Sequence, residues 1–204
     1  MKKNLFIKSI FIFTLILVIS CKEKTPSTEM VSVSTSYRTS LDYDRTVLQI
    51  LDQSPVYNSF LKLVNAVEYF DEIRNMNNVM VFVPTDEAFG PSKYLINELS
   101  SPENLDRLVD ILEYHFVRGD LDAENLQADL SAASGPIRLK TINGGYLAFR
   151  MQKGKLSILD ESTGVAFISK SSIRGSNGVV FTIDRVLRPN RDNTTKPGVA
   201  MSRK

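Results

Sequence analysis

His115 is the only histidine and Cys21 the only cysteine in a chain of 204 residues that has no tryptophan. That inventory excludes an intrachain disulfide, a zinc site built from several Cys and His, and any catalytic pair of histidines. General acid or base work near neutral pH would fall to His115 alone. It stands three residues after Leu112 and ten after Leu105, beside the apolar stripe of a helix. A histidine so placed reads first as a hydrogen-bonded core residue, because catalysis also needs a partner within reach and a cleft. A serine hydrolase would need a GxSxG elbow, and Gly175-Ser176 lacks that context. The expectation is a protein that is no enzyme, with no catalytic residue, no cofactor and no metal.

The other polar residues at informative positions read as structural. Pro84 ends an apolar run, after which Thr85 or Asp86 can cap the next helical turn and Glu87 can complement its dipole. Asn177-Gly178 offers residues tolerant of positive φ before a last strand. Within that strand Val180, Thr182 and Asp184 alternate with Val179, Phe181 and Ile183. Asp184 therefore needs a backbone or arginine partner, or a solvated face.

The elements that carry these residues fall between Tyr43 and Pro189. Apolar residues come first at helical spacing and later in short alternating runs, an α+β layout of one domain over 43–189. Ser54-Pro55 is read as an N-cap and first helical position, with Phe60, Leu63, Val64, Val67 and Phe70 on one face. Ser101-Pro102-Glu103 repeats the device before Leu105, Leu108, Val109, Leu112 and Phe116. The run 79–83, VMVFV, suits a strand buried on both faces. About five strands follow, at 137–142, 146–151, 156–159, 165–168 and 179–187, with hairpin turns at Asn143-Gly144-Gly145 and Gln152-Lys153-Gly154. They are expected to form a sandwich or partly closed barrel with helices on one side.

Outside the domain the chain carries an address. Lys2, Lys3 and Lys8 accompany an apolar stretch and a small residue, Ser20, before Cys21. The three-part layout is that of a secretory signal, shorter than the ~20 apolar residues that span a bilayer. Val18-Ile19-Ser20-Cys21 resembles a bacterial lipobox, which implies a signal peptide over 1–20 and acyl chains on Cys21. Such chains bind membrane at ~0.8 kcal/mol per buried methylene. Loss of the three lysines takes the formal charge from +2 to −1, since 2 − 3 = −1, and leaves little attraction for nucleic acid. Residues 22–42 are Ser/Thr-rich and read as a flexible tether, ~25 Å in r.m.s. span if a coil. Residues 190–204 read as a disordered basic tail. Lys22 after the cysteine favours the outer membrane.

Three segments together, VFVPTDEAF at 81–89, Tyr114-His115, and SNGVVFTIDRVLRP at 176–189, resemble the fasciclin-like domain in order and spacing. The resemblance implies a wedge of strands and helices used for adhesion or ligand contact, without catalytic chemistry. It makes Tyr114 and His115 a packing element with a contact role. Two departures stand out. Phe181 occupies a position where the family commonly has histidine, and Ser172-Ile173 stands where animal adhesion members carry Asp-Ile. The acidic half of an integrin-type contact is thus missing. The expected function is a lipid-anchored envelope module, held by its N-terminal anchor and contacting an extracellular or periplasmic protein or glycan. The alternative is a structural accessory of an outer-membrane polysaccharide-uptake complex.

Overall fold

The computed structural model describes residues 37–67, 72, 75–90 and 94–190. Cys21, the signal region, most of the tether, Phe70 and the tail from 191 lie outside the described residues.

Apolar spacing produces the helices, and local chemistry sets their ends. Helix α1 (Val47–Asp52) begins at Thr46, whose hydroxyl accepts from Gln49 N while the Gln49 side chain accepts from Thr46 N. This reciprocal capping box is legible as T-x-x-Q. Ser54 does not open the next helix. Its N–H bonds back to Leu51 O at 3.1 Å and closes α1, and helix α2 starts later, at Asn58–Ala66. Phe60, Leu63 and Val64 are buried as the spacing predicts. Helix α3 (Tyr94–Leu99) and a 3-10 turn at Pro102–Asn104 lead into helix α4 (Leu105–Tyr114). The buried face of α4 holds Leu108, Ile111 and Leu112, while Phe116 lies beyond the helix on a strand. Helix α5 (Ala123–Ala132) is capped by the Asp122 carboxylate on Asn125 N at 2.9 Å.

Eight strands form one mixed sheet among the described residues. They are β1 (Arg38–Asp42), β2 (Val79–Pro84), β3 (Phe116–Arg118), β4 (Ile137–Lys140), β5 (Tyr146–Gln152), β6 (Lys155–Leu159), β7 (Val165–Gly175) and β8 (Gly178–Ile183). The order is β3-β2-β8-β7-β6-β5-β4, with β1 also pairing β7. The pairs β1/β7 and β2/β8 are parallel and the others antiparallel. The ends of the path meet at one isolated bridge, Val117 to Thr141, so the sheet does not close into a barrel. Helices and mixed sheet together are the expected α+β class.

Strand β2 is buried along its whole length, as its continuous apolar run predicts. Its two faces serve two cores. Val79, Val81 and Val83, with Val180 of β8, pack under α1, α2, α3 and α4. Met80 and Phe82, with Val179, Phe181 and Ile183, face Leu147, Phe149, Leu156, Ile158 and α5. Phe181 is fully buried and stacks on Phe82 at 4.9 Å between centroids, so it fills core volume.

Three expectations change. Residues 38–42, assigned to the tether, are strand β1, and Tyr37 before it is buried. The strand is polar, but its outward N–H groups are taken by α5: Tyr37 N donates to Gln127 and Thr39 N to Glu124. An edge covered in this way is protected from further pairing. The last strand stops at Ile183, not 187. Asn190, assigned to the tail, is tied to the domain through its N–H to Glu161 Oε2 at 3.3 Å. The Lys153-Gly154 turn does follow the hairpin reading, with φ of 51° and 73°, the doubly positive pair of a type I′ turn.

Candidate functional site

Helix α4 ends with four unpaired carbonyls, as every helix does. The side chain of His115, its C-cap residue, reaches back to one of them: Nδ1 lies 2.8 Å from Ile111 O. That contact makes Nδ1 the protonated nitrogen and frees Nε2 to accept from Leu187 N at 3.1 Å. The ring is 1% exposed and packs 5.5 Å from the Phe60 ring. Burial penalises its charged form and pushes its pKa down to about 4, against a smaller upward pull from the Ile111 bond. Both nitrogens are occupied, and no serine hydroxyl or carboxylate is bonded to either. His115 works here as a neutral clamp between α4 and the chain after β8.

The neighbouring groups extend that clamp. Tyr114 is fully buried, and its hydroxyl donates to Tyr146 O at 2.8 Å and accepts from Glu161 N at 2.9 Å. Burial, foremost, and the nearby acids raise its pKa. Asp160 accepts from Gly164 N and Arg188 N at 2.6 and 3.1 Å. Its pKa is raised by burial, against the pull of those N–H groups and of Arg185. Ser162 donates to Pro189 O at 3.1 Å. Residues 187 to 190 are therefore held one after another by His115, Asp160, Ser162 and Glu161.

Three further signature positions prove to be joints. Asn177 and Gly178 do not have positive φ. The Asn177 side chain instead accepts from Val47 N at 2.9 Å and donates to Met76 O at 3.0 Å, joining α1 to the approach to β2. Gly178 is required by proximity, since a Cβ there would collide with the Val79 carbonyl and lie 2.7 Å from Val79 Cγ1. Ser172 is buried on β7, where its hydroxyl contacts Thr39 Oγ1 and accepts from Ala123 N at 3.2 Å. Ile173 packs against the helical core. Ser172 is thus enclosed, and Ile173 is partly buried.

Asp86 corrects the capping expectation. Thr85 makes no side-chain cap to the 3-10 turn at Asp86–Phe89. The Asp86 carboxylate turns the other way, accepting from Ser59 N at 2.6 Å and from the Asn58 side chain at 3.2 Å, at the N-terminus of α2. Partial burial would raise its pKa, but these bonds prevail and lower it. Tyr57, the N-cap residue of α2, makes no side-chain cap bond, so the acid arrives from 27 residues away.

The remaining signature residues line an open pocket of ≈ 390 Å³ at the C-terminal ends of the parallel strands β2 and β8. Thr85 and Glu87 come from the first signature, Thr182 and Asp184 from the last, with Lys155, Phe167 and Ser169 opposite them. The wall is shaped by an irregularity in β7, whose register to β8 shifts between Ile168 and Ser172. Such bulges re-aim side chains beside binding sites. Asp184, exposed just past the strand, accepts from Phe167 N at 2.8 Å and holds that wall. Tyr37 seals the inner side, its hydroxyl accepting from Leu156 N at 2.5 Å. A second cavity of ≈ 380 Å³ lies beside the β3/β4 bridge, with Arg118 and Lys140 on its rim.

A model of the fasciclin domain matches residues 55–189, more than half of the chain. The chain belongs to the fasciclin domain family. This fasciclin domain is 26% identical over 171 residues to protein sll1483 of Synechocystis sp., across 80% of this chain and 88% of that protein. It is 30% identical over 151 residues to transforming growth factor-beta-induced protein ig-h3 of Oryctolagus cuniculus, of which it spans 19% of the length against 71% of its own. Its fold matches the FAS1 domain pair of the insect cell adhesion molecule Fasciclin I with a TM-score of 0.61 at 21% identity, covering 74% of this chain and 53% of that one. Fasciclin domains are cell-adhesion-type modules and generally non-enzymatic.

Within this fasciclin domain, no group of three or more His, Cys, Asp or Glu side chains among the described residues could hold a metal ion. No helix among them is long and apolar enough to cross a membrane. Sequence reasoning found Thr85 and Asp184 of the pocket but missed Lys155 and Phe167. Nothing in the spacing of these two connects them to the signatures. Only the order β2-β8-β7-β6 does.

Proposed function

We propose that the protein is a non-catalytic binding and adhesion module, carried on the bacterial cell envelope by lipid on Cys21 and contacting a protein or glycan partner. The observation that carries this reading is the fate of the reactive residues. The one histidine is enclosed with both ring nitrogens bonded, which keeps the side chain best suited to acid–base work near neutral pH away from any ligand. Family membership supports the same reading. The anchor rests on the lysine-led apolar stretch ending Val18-Ile19-Ser20-Cys21, and Lys22 favours the outer membrane. Many copies confined to one membrane would make weak individual contacts add through effective concentration.

The test is metabolic labelling of cells producing the full-length chain with an alkyne fatty acid, followed by membrane fractionation. Wild-type protein is expected to carry label and sediment with outer membrane, and Cys21→Ala to lose both. Unlabelled wild-type protein in the cytosolic fraction would overturn the anchored-module reading.

A further inference from the structure

The pocket at the ends of β2 and β8 is where the molecule leaves polar chemistry unspent. The ion pairs among the described residues join Arg45 to Asp42, Arg107 to Glu98, and Arg174 to Asp120 and Asp122. Glu87 and Lys155 belong to none of them, although both line this one pocket. The Lys155 ammonium lies 5.7 Å from the centre of the Phe167 ring, a cation–π contact that fixes its direction. Asp184 is partly spent on Phe167 N. The pocket therefore offers a carboxylate that accepts, an ammonium that donates, Thr85 beside them, and one partly exposed aromatic ring.

Charge narrows the ligand. Two acids against one lysine leave an excess of one negative charge, which disfavours phosphate, sulfate and uronate groups. A cationic ligand drawn to the aromatic ring would approach beside the Lys155 ammonium and be repelled by it. A neutral polyol meets neither obstacle. Its hydroxyls donate to Glu87 and accept from Lys155 in charge-assisted hydrogen bonds, and its C–H face lies on Phe167. A volume of ≈ 390 Å³ is near the lower end of small-molecule sites, about 300–1,000 Å³, the scale of a mono- or disaccharide.

We infer that this pocket binds a neutral hexopyranose unit, with Glu87 and Lys155 as its hydrogen-bonding pair and Phe167 as its stacking surface. The inference rests on the binding-module reading and gives that module a ligand class and a place.

The test is saturation-transfer NMR on the full-length protein in a sugar-free zwitterionic detergent. The probes are methyl glycosides of glucose, galactose, mannose and N-acetylglucosamine, with maltose and cellobiose. Glucuronic acid and lysine methyl ester are the charged comparators. At least one neutral sugar is expected to give saturable transfer, stronger than either comparator. Glu87→Gln and Lys155→Met should each weaken it tenfold or more without moving the thermal midpoint, whereas Arg118→Ala at the other cavity should leave it unchanged. The inference falls if no neutral sugar in the panel binds, if glucuronic acid or the lysine ester binds more tightly, or if both pocket variants bind as wild type does. In any of these cases, fatty-acid labelling that depends on Cys21 would leave the anchored module standing with a protein partner.

Discussion

Two regions of this fold use the same kinds of residue for opposite ends. In Tyr114 and His115 the polar side-chain atoms are enclosed and bonded to backbone: Ile111 O and Leu187 N for the histidine, Tyr146 O and Glu161 N for the tyrosine. Around Glu87 and Lys155, the charges face solvent without an ion-pair partner among the described residues. Buried polar groups are costly unless paired, so the first region is a device for shape. Exposed charges cost little while unpaired and remain available to a ligand. The same chemical groups specify a fold in one place and keep a surface open in the other, and burial decides which.

That contrast is broken most directly at the histidine. His115→Ala removes the packing against Phe60 and leaves Leu187 N–H buried without an acceptor. The expected loss is about 4 kcal/mol in urea unfolding, from an emptied core position and an unsatisfied donor. The pH dependence of wild-type stability should show the next largest effect. The folded pKa of His115, about 4, lies below the ordinary value near 6.5, so the unfolded chain binds the extra proton. Stability from this group is complete above pH 6.5 and declines as pH falls toward 4, by on the order of 3 kcal/mol. Asp160 acts in the opposite sense, because burial raises its carboxyl pKa and protonation then favours the folded state. Unfolding midpoints measured from pH 7.5 to 4 should fall steeply in wild type and lose most of that slope in His115→Ala. An equal slope in both would assign the acid sensitivity elsewhere.

Smaller changes sharpen the comparison. Gly178→Ala sets a methyl against the Val79 carbonyl, in a backbone fixed by the β2/β8 pairing, and should cost about 2–3 kcal/mol by thermal unfolding. Tyr114→Phe keeps the ring but strands Tyr146 O and Glu161 N, for about 1–2 kcal/mol. Last come Glu87→Gln and Lys155→Met, each expected to stay within about 0.5 kcal/mol of wild type. A loss above 2 kcal/mol from either would mean that the pocket charges hold the fold, and the distinction between the regions would fail.

How far the sequence could be read depended on where each residue finds its partner. The run 79–83 could be placed on sight because its burial is continuous, and the α4 stripe because Leu108 and Leu112 repeat at helical spacing. The 146–159 hairpin was equally plain from Lys153-Gly154. Strand β1 was not, since RTSLD has no apolar alternation and owes its place to β7 on one edge and α5 on the other. Ser54-Pro55 looked like a helix start, yet α2 draws its cap from Asp86. Asn177-Gly178 looked like a turn needing positive φ, but its side chain and missing Cβ answer to Val47, Met76 and Val79.

The amino-acid order alone settled that 79–83 is a strand and that Leu108 and Leu112 line the buried face of a helix, and to which family the signatures point. Those properties follow from periods of a few residues and need no distant partner. Only the tertiary structure decided that His115 is a clamp, that Asp86 caps a helix 27 residues back, and that Thr85, Glu87, Lys155 and Asp184 share a pocket. Such roles arise when strands far apart in the chain become neighbours, and the backbone pairing that makes them so leaves no local mark on the residues it brings together.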